Sequence, residues 1–488
     1  MQKIKTTMAI IGRRREIEEI RHLYNSGKAE FVAIYGRRRV GKTFLVDETL
    51  KGKITFRHAG LSPVEKESKK NSLKEQLKHF YYSLQTYGLK KKKCPASWME
   101  AFFMLSQLLE SKDNGKARQV VFLDELPWMD TPRSGFITAF EGFWNTWACH
   151  RDNLMLVVCG SANSWMLDNL VNNHGGLYGR TTYEIKLSPF NLHECEEYFK
   201  QNGFKISRYD IVQSYMILGG IPFYLSYMDK ALSLAQNIDN MFFNRGARLI
   251  NEYDRLFSSV FSNPEEMKTI AKALSDRRTG FTRQELLKKT GIDNSGSFSK
   301  MLDALIASDF IESYVPFGEG KRNTHYRLTD PFCMFYLKFV AGKKIIDENF
   351  WKYNVTSPSV NSWRGFAFEG VCFRHIPQIK QALGISGVVT SQSSWSLKGD
   401  DIIDGTQIDM LIDRNDNVVN MCEMKFYNEE FTVNKQYHSV LVHRQNVLSG
   451  MIARRKAIHS TLITTFGLTH NEYSGDFQQV ITIDALFR

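Results

Sequence analysis

Long apolar runs and paired cysteines are absent from this chain of 488 residues. No apolar stretch approaches the ~18 residues of a membrane-spanning helix. The N-terminus, MQKIKTTMAIIGRRREIEEI, lacks the apolar segment and cleavage site of a signal peptide. The 7 cysteines are scattered and form no C-x-x-C pair, which argues against a disulfide framework or a zinc site. These absences predict a cytoplasmic protein with reduced thiols and no membrane partner.

The composition is otherwise typical of a soluble globular protein, with 43% hydrophobic and 24% charged residues. The net charge of +12 permits a nucleic-acid partner. It is equally compatible with a generally basic soluble protein. A chain of this length exceeds a single hydrophobic core, so several domains are predicted.

The most informative motif is FVAIYGRRRVGKTFL, residues 31–45. A strand pattern leads into the spacing G-x-x-x-x-G-K-T, which is typical of a phosphate-binding loop. Backbone N–H groups of such a loop converge on phosphate at the N-terminus of a helix. Lys42 would reach the β- and γ-phosphates of ATP, and the Thr43 hydroxyl would bind Mg²⁺. The predicted ATP-binding residues of the loop are Gly36, Arg37, Arg38, Arg39, Val40, Gly41, Lys42, Thr43 and Phe44.

Three of these residues, Arg37, Arg38 and Arg39, occupy the variable positions of the loop. Because the loop backbone faces the phosphates, their side chains are expected to point elsewhere. They would meet acids of another segment, or they would form a solvated tip, which is the simpler interpretation.

Further polar residues follow the next two predicted strands. The run VVFLDE ends in Asp124, which would hold Mg²⁺, and Glu125, which would polarise the attacking water as a general base. The alternative is an acidic turn that ends the strand. After the third predicted strand, Ser161 would sense the γ-phosphate or hold the water, or it would form a simple turn. Arg180, in GLYGRTTYEI, would be an arginine finger or a loop arginine in a surface ion pair.

These motifs lie on an alternating pattern of strands and helices. Continuous apolar strands are predicted at residues 31–35, 120–124 and 154–160, with helical spacing over Ser72–Leu84 and Trp98–Leu109. Apolar strands separated by helices predict an α/β fold with a parallel sheet covered on both faces. A mostly helical region follows, and Ser188 is the expected N-cap of its first helix.

Six short motifs carry a family resemblance, and they occur in the order IGRRREIEEI, YGRRRVGKT, FLDELPWM, CGSANSWM, LYGR and LGGIP. The series resembles the archaeal-type ATPase family, which belongs to the AAA+/STAND group of P-loop NTPases. By this resemblance the chain binds ATP and Mg²⁺, and Gly12 and Arg13 lie on the adenine side of the nucleotide. Pro222 would belong to a helical lid that closes over the nucleotide.

Residues 264–330 resemble a winged helix-turn-helix. Three short helical patterns, PEEMKTIAKALSD, TRQELLKKTG and SGSFSKMLDALIASDFI, precede IESYVPFGEGKRNTHYRLTD, which is typical of a two-stranded wing. The third helix would begin near Ser295. This unit would contact DNA, or it would serve only for packing.

Two acids and a lysine near the C-terminus have the spacing of paired strands. Asp409 lies in the strand pattern QIDMLID, and Glu423 and Lys425 lie in CEMKF. Residues two apart on a strand face the same side, so Glu423 and Lys425 project together, and Asp409 joins them if the strands pair. Glu369, in the apolar helical segment GFAFEGVCF, is a third acid, and burying it without a partner would be costly. Such acids can bind Mg²⁺ and place an activated water beside a phosphodiester.

This set resembles the active site of the PD-(D/E)xK restriction-nuclease-like fold. The resemblance implies that Glu369, Asp409, Glu423 and Lys425 are catalytic and that Asp409 and Glu423 are metal ligands. The alternative is an ordinary salt bridge between Glu423 and Lys425, with unrelated acids nearby. Folds of this kind also serve as inactive binding modules.

Together the segments predict a P-loop ATPase core at residues 1–185, a helical lid at 186–260, a winged helix at 261–340 and a nuclease-like domain at 345–488. The predicted function is an ATP-dependent switch that is coupled to DNA binding or cleavage and is able to form homo-oligomers. Two alternatives stay open at this stage. One is a non-catalytic DNA-binding regulator with a structural nucleotide site, and the other is a signalling scaffold with an inactive nuclease-like domain.

Overall fold

The computed structural model describes residues 10–62, 73–90, 93–161, 163–171, 177, 179–261, 263–342, 347–397, 399 and 405–488. Within these ranges the chain divides into two compact units. Unit 1 comprises Met1–Pro189, Asp254–Met267 and Lys300–Ser308, and unit 2 comprises Phe190–Tyr253, Lys268–Ser299 and Asp309–Arg488. Each unit contains β-sheet of its own and is described by itself.

The sheet of unit 1 is built from β1 (Glu30–Tyr35), β2 (Ile54–Ala59), β3 (Gln119–Asp124), β4 (Leu154–Gly160) and β5 (Tyr183–Lys186). The strands are parallel and lie in the order β2-β3-β4-β1-β5. The predicted α/β fold with a parallel sheet is confirmed, and so are the three predicted strands. The edge strands β2 and β5 carry no sequence prediction. The order sets the carboxyl end of β4 between those of β1 and β3, which decides the geometry of the site.

The helices of this segment are α1 (Arg14–Tyr24), α2 (Lys42–Thr49), α3 (Leu73–Thr86), α4 (Trp98–Lys112), α5 (Phe136–Thr146) and α6 (Asn163–Met166). Their buried faces pack on the sheet mainly through aromatic rings. Phe31 of β1, for example, lies 5.7 Å from Phe140 and 4.9 Å from Trp144 of α5 between ring centroids. Each fully buried aromatic side chain contributes about 1.5–3 kcal/mol, so the strand ends that carry polar residues are held in a rigid layer.

The helix that opens unit 2 begins later than the sequence predicts. α7 spans Leu192–Gln201, and its N-cap is Asn191 rather than Ser188. The Asn191 side chain accepts a hydrogen bond from the N–H of Glu194 at 2.8 Å, while the Glu194 carboxylate accepts one from the N–H of Asn191 at 3.0 Å. This reciprocal capping box satisfies two backbone donors at once, and it fixes the helix start three residues beyond Ser188.

The next segment, residues 208–342, is mainly helical and also contains a small antiparallel sheet. Its helices are α8 (Arg208–Leu218), α9 (Pro222–Leu225), α10 (Leu234–Phe242), α11 (Glu252–Val260), α12 (Pro264–Leu274), α13 (Arg283–Thr290), α14 (Gly296–Ala307) and α15 (Pro331–Phe335). Its strands are β6 (Phe281–Thr282), β7 (Ile311–Tyr314) and β8 (His325–Leu328), in the order β6-β8-β7. Along the described parts of the chain, no helix has the length and apolar character needed to cross a membrane.

The C-terminal part of unit 2 is organised around a mixed sheet. Its helices are α16 (Phe350–Asn354), α17 (Pro358–Arg374), α18 (Ile376–Ala382) and α19 (Lys435–Met451), and its strands are β9 (Thr390–Leu397), β10 (Thr406–Arg414), β11 (Val418–Lys425), β12 (Ala457–Thr464) and β13 (Gln479–Thr482). The strand order is β13-β12-β11-β10-β9. β9, β10 and β11 are antiparallel neighbours, whereas β11, β12 and β13 are parallel. The predicted pairing of the two acid-bearing strands, β10 and β11, is confirmed.

Candidate functional site

The glycines of the phosphate-binding loop are required by the local backbone. The loop follows β1, and a Cβ on Gly36 would lie 2.2 Å from the carbonyl oxygen of Leu187. Only glycine tolerates that approach. Gly41 has φ of +95° immediately before α2, in the left-handed region that glycine adopts without strain. The loop therefore leads directly into the N-terminus of α2, where backbone N–H groups can meet an anion.

Lys42 is buried and holds this loop from inside. Its Nζ donates to the carbonyl oxygens of Gly36 at 2.9 Å and Arg37 at 3.1 Å, and to Oγ of Ser161 at 3.0 Å. Burial lowers the pKa of Lys42, and the nearby charge of Glu125 opposes that shift. A buried cation whose hydrogen-bond partners are two carbonyl oxygens and a hydroxyl is well suited to accept an anionic ligand.

The predicted acids lie at the carboxyl end of β3. Oγ1 of Thr43 donates to Oδ2 of Asp124 at 2.9 Å. Burial, followed by the charge of Glu125, raises the pKa of Asp124. Glu125 has φ of +46°, a strained conformation for a residue with a side chain, and such strain is concentrated at functional sites.

Ser161 connects the lysine to the glutamate. Its Oγ donates to Oε1 of Glu125 at 2.8 Å, and its N–H donates to Oε2 at 3.2 Å. The same Oγ accepts from Lys42. This link follows from the strand order, because Ser161 directly follows β4 and β4 lies between β1 and β3. The structure thus brings together Lys42, Thr43, Asp124, Glu125 and Ser161.

The arginines of the loop do not form the solvated tip that the sequence favours. Arg37 is 2% exposed, and Arg38 and Arg39 are half-buried. The guanidinium of Arg38 lies over the ring of Trp128, 5.8 Å from its centroid. Stacking on the segment after β3 explains why this side chain leaves solvent. Phe44, in contrast, is 40% exposed at the start of α2.

The N-terminal Gly12-Arg13 box is anchored near the loop. Arg13 is 7% exposed, and its Nη2 donates to the carbonyl oxygen of Ser188 at 2.6 Å. Ser188 follows Leu187, the residue that contacts Gly36. The box and the phosphate-binding loop therefore attach to the same short segment after β5.

Two other predicted residues lie elsewhere. Arg180 is exposed in the turn before β5, and Pro222 is the first residue of α9 in unit 2. Their roles as arginine finger and lid residue stay predictions.

A second group of predicted residues converges in unit 2, and we call Glu369, Asp409, Glu423 and Lys425 the carboxylate cluster. Nζ of Lys425 lies 3.2 Å from Oε2 of Glu423 and 4.0 Å from Oδ2 of Asp409. Oδ2 of Asp409 also accepts from the N–H of Met424 at 3.1 Å. Glu369, on α17, faces Asp409, and burial followed by that charge raises the pKa of Glu369 to about 8.

Three residues that the sequence does not single out complete this cluster. Tyr437 and Arg444, both on α19, contact the carboxylate of Glu423. Residues seven apart lie on one face of a helix, so the sequence spacing of Tyr437 and Arg444 could have predicted that they face the same neighbour. Arg278 pairs with Glu369 through Nη1 at 2.7 Å, and its Nη2 donates to Asp409 at 3.0 Å. It lies in the turn between α12 and β6, where sequence spacing offers no signal.

A divalent cation does not fit the cluster in this arrangement. Both oxygens of Glu423 already face protein groups, and Arg278 lies between Glu369 and Asp409. Across the described ranges, no group of three or more histidine, cysteine, aspartate or glutamate side chains is arranged to hold a metal ion. The predicted metal roles of Asp409 and Glu423 therefore have no support from the geometry and stay predictions.

Replacing Glu423 with alanine should destabilise unit 2 by about 3–5 kcal/mol, because it leaves buried cations without their anion. Glu423 is fully buried, and Lys425 and Arg444 would lose their shared partner. Hydrogen exchange of the β10 and β11 amides measures this loss locally. The matched control is Glu429→Ala, an exposed position in the same segment, which should change little. Equal protection in the two variants would contradict the prediction.

Comparison with known proteins finds similarity chiefly in the first part of the chain. Residues 10–228 match the ATPase_2 family, an ATPase domain predominantly from Archaea. An uncharacterized protein of Methanocaldococcus jannaschii is 24% identical over 405 residues, covering 80% of this chain and 83% of that protein. A solved Walker-type ATPase of Pyrococcus abyssi aligns at 18% identity with a TM-score of 0.47, covering 67% of this chain and 96% of that one. The ORC2 protein of Aeropyrum pernix, solved in ADPNP–ADP complexes, aligns at 13% identity with a TM-score of 0.40, covering 72% and 98% of the two chains. Residues 10–228 are thus similar to an ATPase domain found predominantly in Archaea.

Proposed function

We propose that the protein hydrolyses ATP and uses the nucleotide state as a switch. The observation that carries this proposal is the link from Lys42 through Ser161 to Glu125. Phosphoryl transfer needs a phosphate-binding cation, a metal site and a group that orients water. The link supports a site in which the phosphate-binding and water-orienting groups are joined through one hydroxyl.

Each residue has a role that fits its contacts. Lys42 would bind the β- and γ-phosphates once they replace its carbonyl partners. Thr43 and Asp124 fit a Mg²⁺ site, since a hydroxyl and a carboxylate are the hard oxygen ligands that this ion prefers, and they lie 2.9 Å apart. Mg²⁺ would neutralise charge on the phosphates. Glu125 would accept the proton of the attacking water, and Ser161 would report an occupied site to both Lys42 and Glu125.

The partner of the switch is proposed to be DNA. Along the chain, residues 264–328 carry three helices and the strands of a three-stranded sheet, and this order of elements supports a winged helix. Arg283 joins α13 to the start of α14 by donating to Asn294 at 2.8 Å and Ser299 at 3.2 Å. Lys288 and Lys321 are exposed and are suited to phosphate contacts, which make binding depend on salt.

A second proposed function is cleavage or binding of nucleic acid at the carboxylate cluster. Glu369, Asp409 and Lys425 line a cavity of about 1530 Å³. Pockets for small ligands are usually about 300–1,000 Å³, so this volume favours a segment of a polymer. The convergence of acids from α17, β10 and β11 on one lysine supports the nuclease-like interpretation over an isolated strand salt bridge.

The ATP-binding proposal predicts that Lys42→Ala weakens ATP binding by about 10- to 100-fold, because hydrogen bonds to charged groups contribute about 1.5–3 kcal/mol. Titration calorimetry with ATP and Mg²⁺ measures the affinity, and phosphate release measures turnover. Lys51→Ala is the matched control, since Lys51 is an exposed lysine close to the same helix and pairs with Glu48 at 3.2 Å. Equal affinities for ATP in the two variants would show that Lys42 does not bind the nucleotide.

A further inference from the structure

Arg278 occupies an unusual position for a turn arginine. Its side chain is 35% exposed, and its two Nη atoms reach two different carboxylates, Glu369 and Asp409. With the amide oxygen of Gln407 turned towards it, its Nε also has an acceptor at 3.2 Å. The guanidinium thus fills the space between the two acids that line the cavity.

The turn that carries Arg278 is fixed to the small three-stranded sheet. A Cβ on Gly280 would lie 2.0 Å from the carbonyl oxygen of Tyr326 in β8. The hydroxyl of Tyr314, in β7, donates to the carbonyl oxygen of Thr279 at 2.7 Å. The position of Arg278 therefore depends on the sheet formed by β6, β7 and β8.

The neighbouring arginine shows what a purely structural contact looks like. Arg277 pairs with Glu285 at 2.7 Å, and its guanidinium lies 3.9 Å from the centroid of Phe281. All of these contacts are local to the turn and α13. Arg278 instead contacts residues 91 and 131 positions away in the chain, so its charge serves the carboxylate cluster rather than the turn.

We propose that Arg278 is an autoinhibitory contact that closes the carboxylate cluster. This inference rests on the proposed nuclease-like function of the cluster. A guanidinium and a divalent cation compete for the same carboxylate oxygens, because each is attracted by their negative charge. While Arg278 bridges Glu369 and Asp409, a divalent cation is excluded. Without the guanidinium, the two acids repel each other and become a cation site. The turn that carries Arg278, held by the sheet of β6, β7 and β8, thereby controls access to the cluster.

The test measures how the full chain binds Mn²⁺ in the absence of nucleotide. Electron paramagnetic resonance of Mn²⁺ monitors the binding. The four proteins are wild type, Arg278→Gln, Arg277→Gln and the double variant Arg278→Gln with Asp409→Asn. We expect Arg278→Gln to bind one additional Mn²⁺ per chain. The affinity of the carboxylate cluster for Mn²⁺ should be at least about 10-fold higher in this variant than in wild type. Arg277→Gln should behave as wild type, although it loses the same charge from the same turn. The double variant should lose the gain, which separates this site from any Mn²⁺ held near Thr43 and Asp124.

Three outcomes would overturn the proposal: no gain in Arg278→Gln, an equal gain in Arg277→Gln, or a gain that persists with Asp409→Asn. Labelled single- and double-stranded DNA are then incubated with the same proteins and Mn²⁺. Cleavage by Arg278→Gln above wild type supports the contact and the nuclease function together. A gain in Mn²⁺ binding without cleavage supports the contact and counts against the nuclease function, so the two failures are distinguishable.

Discussion

Replacing Glu125 with glutamine should lower the rate of ATP hydrolysis by about 10²–10⁴-fold, the usual contribution of a general base. ATP binding should stay within a few-fold of wild type. The glutamine keeps an oxygen that accepts from Ser161, so the contact to Oγ at 2.8 Å can persist. What it loses is the ability to take a proton from the attacking water. Rapid-quench measurement of phosphate release at saturating ATP isolates this step.

The control for this variant is Glu141→Gln on α5, which removes one carboxylate from unit 1 at a position outside the nucleotide site. It should hydrolyse ATP at the wild-type rate. If Glu125→Gln also keeps that rate, Glu125 is not the base, and the strained φ of +46° has another cause. If Glu125→Gln loses ATP binding, its carboxylate supports the loop through Ser161 rather than the chemistry.

The proximity of Lys42, Thr43, Asp124 and Glu125 was largely predictable, because the sequence signals for it are local. A strand, two glycines, Lys42 and Thr43 are adjacent in sequence, and the acids directly follow an apolar strand. What the sequence could not supply is the order of the strands. That order places Ser161 between Lys42 and Glu125, and it converts a residue compatible with a simple turn into the link of the site.

The same distinction applies to the carboxylate cluster: contacts set by local spacing could be predicted from the sequence, and contacts between distant residues could not. Period-two spacing predicted that Glu423 and Lys425 share a face, and strand pairing brought Asp409 to them. Arg278 could not be predicted, since an arginine in a polar turn is usually solvated and its partners lie far along the chain. The predicted N-cap of α7, Ser188, was wrong for a different reason. Asn191 and Glu194 form a capping box that satisfies two backbone donors, so the helix begins after Asn191.

Asp409→Asn should abolish any cleavage of DNA by this protein, reducing it by at least about 100-fold, because even supporting residues of such sites typically contribute 10- to 100-fold. Asp409 is the acid that contacts both Arg278 and the lysine-bearing strand. The substitution removes its charge and keeps an oxygen for the N–H of Met424, so the strands should stay paired. Cleavage is measured with Mg²⁺ or Mn²⁺, with and without ATP, in wild type and in the Arg278→Gln background.

Asp409 is a sharper probe of this function than Glu423, whose loss should destabilise the whole sheet. Asp413→Asn is the matched control, since Asp413 lies on the same strand and pairs with Lys456 away from the cluster. If the Asp409→Asn variant still cleaves DNA, the activity belongs to another site or to a contaminant. Absence of cleavage in wild type and in Arg278→Gln, under every condition, would leave the cluster as a binding module.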